Sequence, residues 1–200
     1  LPVIPKTFLG LDFAMHSLYV ASDEDEAKYP DFLRKAEKRL AKAQRKLSQK
    51  QKESHNREKQ RLRVAILHEK VANQRRDFLH KKARYLADRY DVIGIEDISV
   101  KAMAKRKKGG KFSFGKSVAD NGWNMFTNML EYKLAWQGKK LIKIDKWYPS
   151  SQLCHVCGYQ NHETKDLSVR EWDCPKCGSH HNRDKNAAIN IREEARRISA

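Results

Sequence analysis

No apolar run in this sequence approaches the ~18 residues that a membrane-spanning helix needs, and no charged-then-apolar leader opens it. The chain is therefore expected to be soluble and cytoplasmic. Cysteine is almost absent: there are four, all between positions 154 and 177, whereas a secreted disulfide protein spreads its cysteines through the chain. Internal repeats are lacking as well. Negative charge is scarce, with 25 Asp and Glu against 42 Lys and Arg, a net +17 and a pI near 9.8. That excess goes far beyond what solubility requires and points to a polyanionic partner, nucleic acid ahead of anionic membrane. The first residue is Leu1 instead of methionine, and "LPVIPK" runs straight into a strand pattern. The 200 residues thus read as a fragment, one domain carrying a small appended module.

"TFLGLDFAMHSLYVAS" predicts a hairpin, with a strand from Phe8 that ends on Asp12 and a second over Leu18 to Val20; the acidic "DEDEAKYP" after it shows no third strand. From Phe32, Leu33, Ala36, Leu40, Ala43 and Leu47 make one apolar helical seam. "SHN" at 54–56 breaks it, and Val64, Leu67, Val71, Phe78 and Tyr85 continue a stripe down a second helix, giving an antiparallel pair over 32–90. Residues 34–63 hold 13 Lys or Arg against 3 Glu, a net +10. A solvated face would account for these charges, but an excess of one sign favours phosphate contact.

"DVIGIED" (91–97) predicts a strand ending in Glu96 and Asp97, and the basic, glycine-rich "KRKKGGKFSFGK" (105–116) a mobile loop. Asp120 or Asn121 is expected to cap a helix carrying Trp123, Phe126, Leu130 and Leu134, which Gly138 stops. "KLIKIDKW" gives a further strand, and a last helix starts at about Asp184.

Cys154 and Cys157 form one C-x2-C pair and Cys174 and Cys177 another, sixteen residues apart, each followed by glycine. Two such knuckles complete a tetrahedral sulfur cage that suits one structural Zn²⁺; redox disulfides are the alternative. Four thiolates fill the site, which leaves His155, His162, His180 and His181 as surface residues or phosphate contacts and leaves zinc no open position for activating water. Trp147 and Trp172 are expected to be buried beside this module; stacking on bases is the other use for them.

Asp12 and Glu96 end strands and Asp184 starts a helix, so an α/β sheet can bring the three to one edge. Each alone has an ordinary explanation in a turn, a strand end or a helix dipole. Together, clustered carboxylates repel unless a divalent cation joins them, and oxygen ligands suit Mg²⁺ or Mn²⁺. A two-ion site of that kind hydrolyses phosphodiesters. Arg183 and Lys185 flank the last acid as candidate backbone contacts, and Asn186 is a candidate for orienting a water or capping the helix.

"GLDFAMHSLYVAS", "IGIEDISVKAM", "SSQLCHVCG" and "WDCPKCGSHHNRDKNAAINI", in this order, resemble the catalytic half of the TnpB transposon-associated RNA-guided nucleases, relatives of the miniature type V CRISPR effectors. The likeness covers residues 7 to 193. It implies an α/β, RNase H-like fold of the RuvC kind, a mixed sheet with flanking helices. Residues 1–150 form its core, including the helical pair; 151–181 form the inserted zinc module; 182–200 form the last catalytic segment and the C-terminal helix. It places Asp12, Glu96 and Asp184 on the three catalytic acids, holding two ions with Asp12 between them. It also implies a guide RNA and a target DNA as partners, no membrane, and a setting at the prokaryotic nucleoid. Ala14 stands where the family's first motif usually has glycine, and Asn182 where its last commonly has an acid. The family's N-terminal guide-binding part is missing, so this stretch alone is expected to cut poorly. A guide-directed protein that binds without cutting, or an autonomous RNase H-type resolvase or transposase, would share much of this pattern.

Overall fold

The computed structural model describes residues 4–14, 17–25, 27–98 and 122–200. The glycine-rich loop expected at 105–116 and the proposed caps Asp120 and Asn121 lie outside these residues. Two compact units divide the chain: Leu1–Tyr29 with Lys82–Ala200, and Pro30–Lys81.

In the first unit, β1 (Phe8–Phe13), β2 (Tyr19–Ala21), β3 (Val92–Glu96) and β4 (Lys140–Ile144) form a mixed sheet in the order β2-β1-β3-β4. The predicted hairpin is there: β1 and β2 are antiparallel, with Asp12 opposite Val20. β1 continues one residue past Asp12, and no strand forms among the described residues of the acidic segment after β2. β3 runs parallel to both β1 and β4.

The sheet's two faces are built differently. Leu9 and Leu11 on β1 and Ile93 and Ile95 on β3 point one way and are excluded from solvent, as an alternating strand requires. Helix α3 (Trp123–Trp136) covers this face, with Phe126 stacked on Tyr19 and Trp123 edge-on to Phe13. Trp123, Phe126, Leu130 and Leu134 are its buried residues, as the sequence predicts. Its cap is Gly122, in the left-handed conformation at φ 71. Gly138, at φ 70, ends it; the following Lys139 N–H returns to the Leu134 carbonyl at 2.9 Å.

The other face receives helix α4 (Arg183–Ser199) at unusually close range. Gly10 and Gly94 are register partners on β1 and β3. A Cβ on Gly10 would stand 2.0 Å from the Ala188 carbonyl oxygen, and one on Gly94 2.6 Å from the Ala195 methyl. Only glycine admits a helix backbone this near a strand. Around this crossing Val92, Ile144, Ile191 and Ala195 form a core cluster.

The second unit contains α1 (Phe32–Ser48) and most of α2 (His55–Arg89), joined by a short turn where Ser54 Oγ receives the Arg57 N–H. The pair is antiparallel: Phe32 meets Phe78 ring to ring, Gln60 Nε2 donates to the Ala43 carbonyl, and Arg57 Nη1 donates to the Leu47 carbonyl. The expected stripe on α2 holds as far as Val71 and then shifts. Leu79, Ala83 and Leu86 are buried, whereas Tyr85 is 37% exposed under the Lys82 and Arg89 cations. A strict seven-residue repeat drifts by ~20° per heptad on a straight helix, so positions 64, 71, 78 and 85 rotate off the buried side.

No helix among the described residues is long and apolar enough to cross a membrane.

Candidate functional site

The glycine pair that seats α4 also aligns three acids. Asp12 lies two residues past Gly10 and Glu96 two past Gly94, so both carboxylates project from the α4 face, side by side on parallel strands. Asp184 lies one helical turn before Ala188, the residue directly over Gly10. Helix α4 therefore brings Asp184 back toward Asp12.

Their charges register on one another. Asp12 is half-buried, and desolvation first, then the charges of Glu96 and Asp184, raise its pKa well above the ordinary carboxylate range. The Arg183 cation and a hydrogen bond from the Phe13 amide pull weakly in the opposite direction. Two residues that sequence reading missed hold the flanking acids. The buried Ser150 hydroxyl donates to Glu96 Oε1, and Arg170 Nη1 lies 3.3 and 3.4 Å from the two Asp184 oxygens. Neither left a usable signal, since both reach across 14 or more residues. An edge of oxygen donors with one carboxyl driven toward protonation is chemically suited to a hard cation.

Other candidates at the start of α4 have structural partners. Arg183 is buried and donates to the Asp166 carbonyl at 3.3 Å, and Lys185 Nζ donates to the Asp23 carbonyl. The helix cap is Asn182, whose side chain receives the Lys185 N–H. Asn186 instead faces the first knuckle: its Oδ1 receives the His155 N–H at 3.1 Å and its Nδ2 donates to the Leu153 carbonyl at 2.7 Å. One turn on, Asn190 Nδ2 donates to the carbonyls of Ser150 and Leu153, both at 2.7 Å. The N-x3-N spacing in "NAAIN" puts both amides on one helix face.

The four cysteines converge. Their sulfur atoms lie within 4.8 Å of one another, with Cys154 to Cys177 and Cys157 to Cys174 each at 3.6 Å. A tetrahedron with Zn–S bonds of about 2.3 Å has edges of about 3.8 Å, so the cluster can bind a metal such as zinc. Each knuckle closes identically, the Gly158 and Gly178 amides donating to the Cys154 and Cys174 carbonyls at 2.8 Å. Both glycines sit near φ 72 with open space where a Cβ would be, so conformation is what demands glycine here. Burial pushes the Cys154 thiol up to about 12, while hydrogen bonding with the side chain and backbone of Ser179 brings Cys177 down to about 6. Among the described residues the three carboxylates sense one another without gathering as the thiols do.

The module around the cysteines departs from expectation in two places. His181 is buried, with Nε2 3.1 Å from Cys154 Sγ and its ring against Trp172, and burial lowers its pKa. Trp172 is buried as expected, but Trp147 is 80% exposed, because it stands in the turn after β4 where Asp145 holds its amide. β5 (Glu171–Asp173) and β6 (His180–Asn182) flank the second knuckle, and β6 runs directly into α4.

Residues 2–107 match a family model described as "Probable transposase" (OrfB_IS605), and residues 123–191 match the Cas12f1-like TNB domain. A Streptomyces pristinaespiralis protein, provisionally named an RNA-guided DNA endonuclease, is 41% identical over 92% of this chain and 44% of its own length. InsQ of Escherichia coli K12, named in the same way, is 34% identical over 95% of this chain and 50% of its own. The chain thus spans about half the length of these relatives. A Cas12f1 chain, solved by cryo-electron microscopy in complex with sgRNA and target DNA, superposes with a TM-score of 0.59 at 22% identity, covering 95% of this chain and 50% of that one. Two family matches that together run through most of the sequence, with relatives of this similarity, establish that the chain belongs to the TnpB family, in the part of it shared with Cas12f1.

Proposed function

We propose that this chain is the nuclease portion of an RNA-guided DNA endonuclease. In this reading residues 1–150, with the helical pair 32–90, form an RNase H-like core of the RuvC kind; 151–181 form a zinc module and 182–200 the last catalytic segment. The observation that supports the reading is that Asp12 lies close enough to Glu96 and Asp184 for both charges to raise its pKa, in a protein otherwise so basic. Asp12, Glu96 and Asp184 would hold two Mg²⁺ or Mn²⁺ ions, which would supply Lewis-acid activation of water and neutralise charge on the scissile phosphate. Asp12 senses the charges of both other acids and would be one of the ligands. Ser150 aims Glu96, and Arg170 holds Asp184 until phosphate or cation competes for it. Arg183 sets a fixed positive charge beside Asp12. The partners proposed are a guide RNA, which selects the target by base pairing, and a DNA strand read through its backbone and a short flanking motif. Retention of all three acids speaks against a protein that binds without cutting.

The test is to sequence the RNA that copurifies with the full-length protein and then to assay Mg²⁺-dependent cleavage of a matching target. Asp184→Ala is expected to lower cleavage by roughly 10³-fold or more while leaving RNA and DNA binding intact. Cutting at the parental rate by that variant would sink the assignment.

The cysteine module has a separate prediction. Four protein ligands leave zinc no open position, so its proposed role is to fix the Ser150–Leu153 segment and α4 relative to each other. Cys174→Ser should lose about one equivalent of zinc per chain and lower the thermal midpoint, because metal binding contributes directly to folding. Elemental analysis and a melting curve check this; full zinc occupancy in the variant would contradict it.

A further inference from the structure

The second compact unit carries chemistry that neither the acid edge nor the cysteine cluster uses. On α1, Arg39, Lys42 and Lys46 follow at intervals of three and four and share one face. With Arg63 on α2 they rim a groove of about 510 Å³. All four are exposed, and none is paired with a carboxylate among the described residues. Ala43, Leu67 and the 53%-exposed Ile66 give the groove an apolar lining. Gln60, also in its wall, is 6% exposed; its Nε2 donates to the Ala43 carbonyl at 2.9 Å, and its Oε1 has no partner among the described residues. The groove therefore presents four cations, an apolar strip and one polar acceptor.

We infer that this groove seats a strand of RNA, an assignment that rests on the proposed function and locates one of its contacts. Phosphates neutralise the four cations, and sugars and base edges cover Ile66 and Leu67. A ribose 2′-hydroxyl donates to Gln60 Oε1, whereas deoxyribose has no donor to offer there. An acidic peptide would satisfy the cations, but its carboxylates are acceptors and bring nothing to the glutamine oxygen.

Each phosphate contact on a single strand contributes ~0.7 to the salt dependence of log Kd, so four contacts contribute roughly 3. Fluorescence anisotropy on the 200-residue chain with single-stranded RNA, across a salt series, reads this directly. Combining Arg39→Gln, Lys42→Gln, Lys46→Gln and Arg63→Gln should flatten the slope by roughly 3 and weaken binding about a hundredfold or more near 0.1 M salt. The same replacement at Lys50, Lys52, Lys59 and Lys70 should do much less; an equal effect would mean diffuse charge and overturn the groove. DNA of the same sequence should bind the parent more weakly, and Gln60→Met should erase that preference; equal parental affinity for both overturns the choice of RNA. Poly-glutamate displacing RNA at equal charge would identify a peptide partner instead. Should the quadruple variant fail to fold by circular dichroism, Lys42→Gln with Lys46→Gln is expected to show half the change. A parent that binds no nucleic acid defeats the proposed function as well, whereas parental binding left unchanged by the quadruple variant defeats the groove alone.

Discussion

Replacing Asp12 with asparagine is expected to do two opposite things: abolish divalent-cation-dependent cleavage by the full-length protein and stabilise the magnesium-free chain near neutral pH. The first follows from the proposed place of Asp12 among the metal ligands, the second from the raised pKa of this carboxyl, caused by desolvation and by the charges of Glu96 and Asp184. A carboxyl whose folded pKa exceeds its unfolded value contributes stability fully below the unfolded value, near 4, and loses that contribution as pH rises through the folded one. Above that window the parent holds a costly anion that the asparagine variant lacks. Each tenfold change in proton affinity is worth about 1.4 kcal/mol. Mg²⁺ should reverse the order by stabilising the parent and leaving Asp12→Asn unmoved, and cleavage should fall by roughly 10³-fold or more. Urea unfolding with and without Mg²⁺, in buffer free of chelator so that the cysteine cluster is not stripped, measures the effect on stability. A variant that is less stable than the parent without Mg²⁺ at pH 7, or that still cuts, would remove Asp12 from the role proposed for it.

The sequence disclosed the acids more readily than what aligns them. Alternating apolar residues around Asp12 and Glu96 made the strands visible, and knuckle glycines made the cysteine module visible, because both signals are local. Ser150 and Arg170 were not visible: their contacts join segments that are distant in the chain, and a lone serine or arginine carries no periodicity. Spacing says nothing about burial, so His181 looks like a surface residue or phosphate contact in the sequence, yet its ring lies against Trp172 with Nε2 beside Cys154 Sγ. The stripe through Val71, Phe78 and Tyr85 follows a seven-residue spacing that a straight helix of 35 residues does not keep, and Tyr85 is exposed. Asn186 and Asn190 show a third case, where an i, i+4 amide pair was present in the sequence but only the packing supplied its partners.

The largest effect on folding is expected from a single methyl group. Gly10→Ala would set a Cβ 2.0 Å from the Ala188 carbonyl oxygen and 2.6 Å from the Arg192 amide nitrogen. Both are backbone atoms of a helix, so no rotamer change can relieve the clash. Either β1 and α4 separate, opening the core around Val92, Ile144 and Ile191, or the hydrogen bonds of α4 distort. Overpacking of this kind costs about 3 kcal/mol or more. Gly158→Ala is the contrasting change: its Cβ meets nothing within 4 Å, and only the left-handed backbone at φ 72 opposes it, a cost of about 1–2 kcal/mol. Denaturant midpoints for the two variants should therefore fall in that order, and Ala188→Gly should fail to rescue Gly10→Ala because the obstructing atom is the carbonyl oxygen and not the side chain. The functional consequence follows from the register. Gly10 is two residues from Asp12, and Ala188 is one turn from Asp184, so the gap that accommodates the methyl opens between two of the three acids. Any Gly10→Ala protein that does fold should retain RNA binding yet cut more weakly than its residual stability accounts for. Wild-type cleavage and a midpoint unchanged within error would show that α4 does not approach the sheet through Gly10.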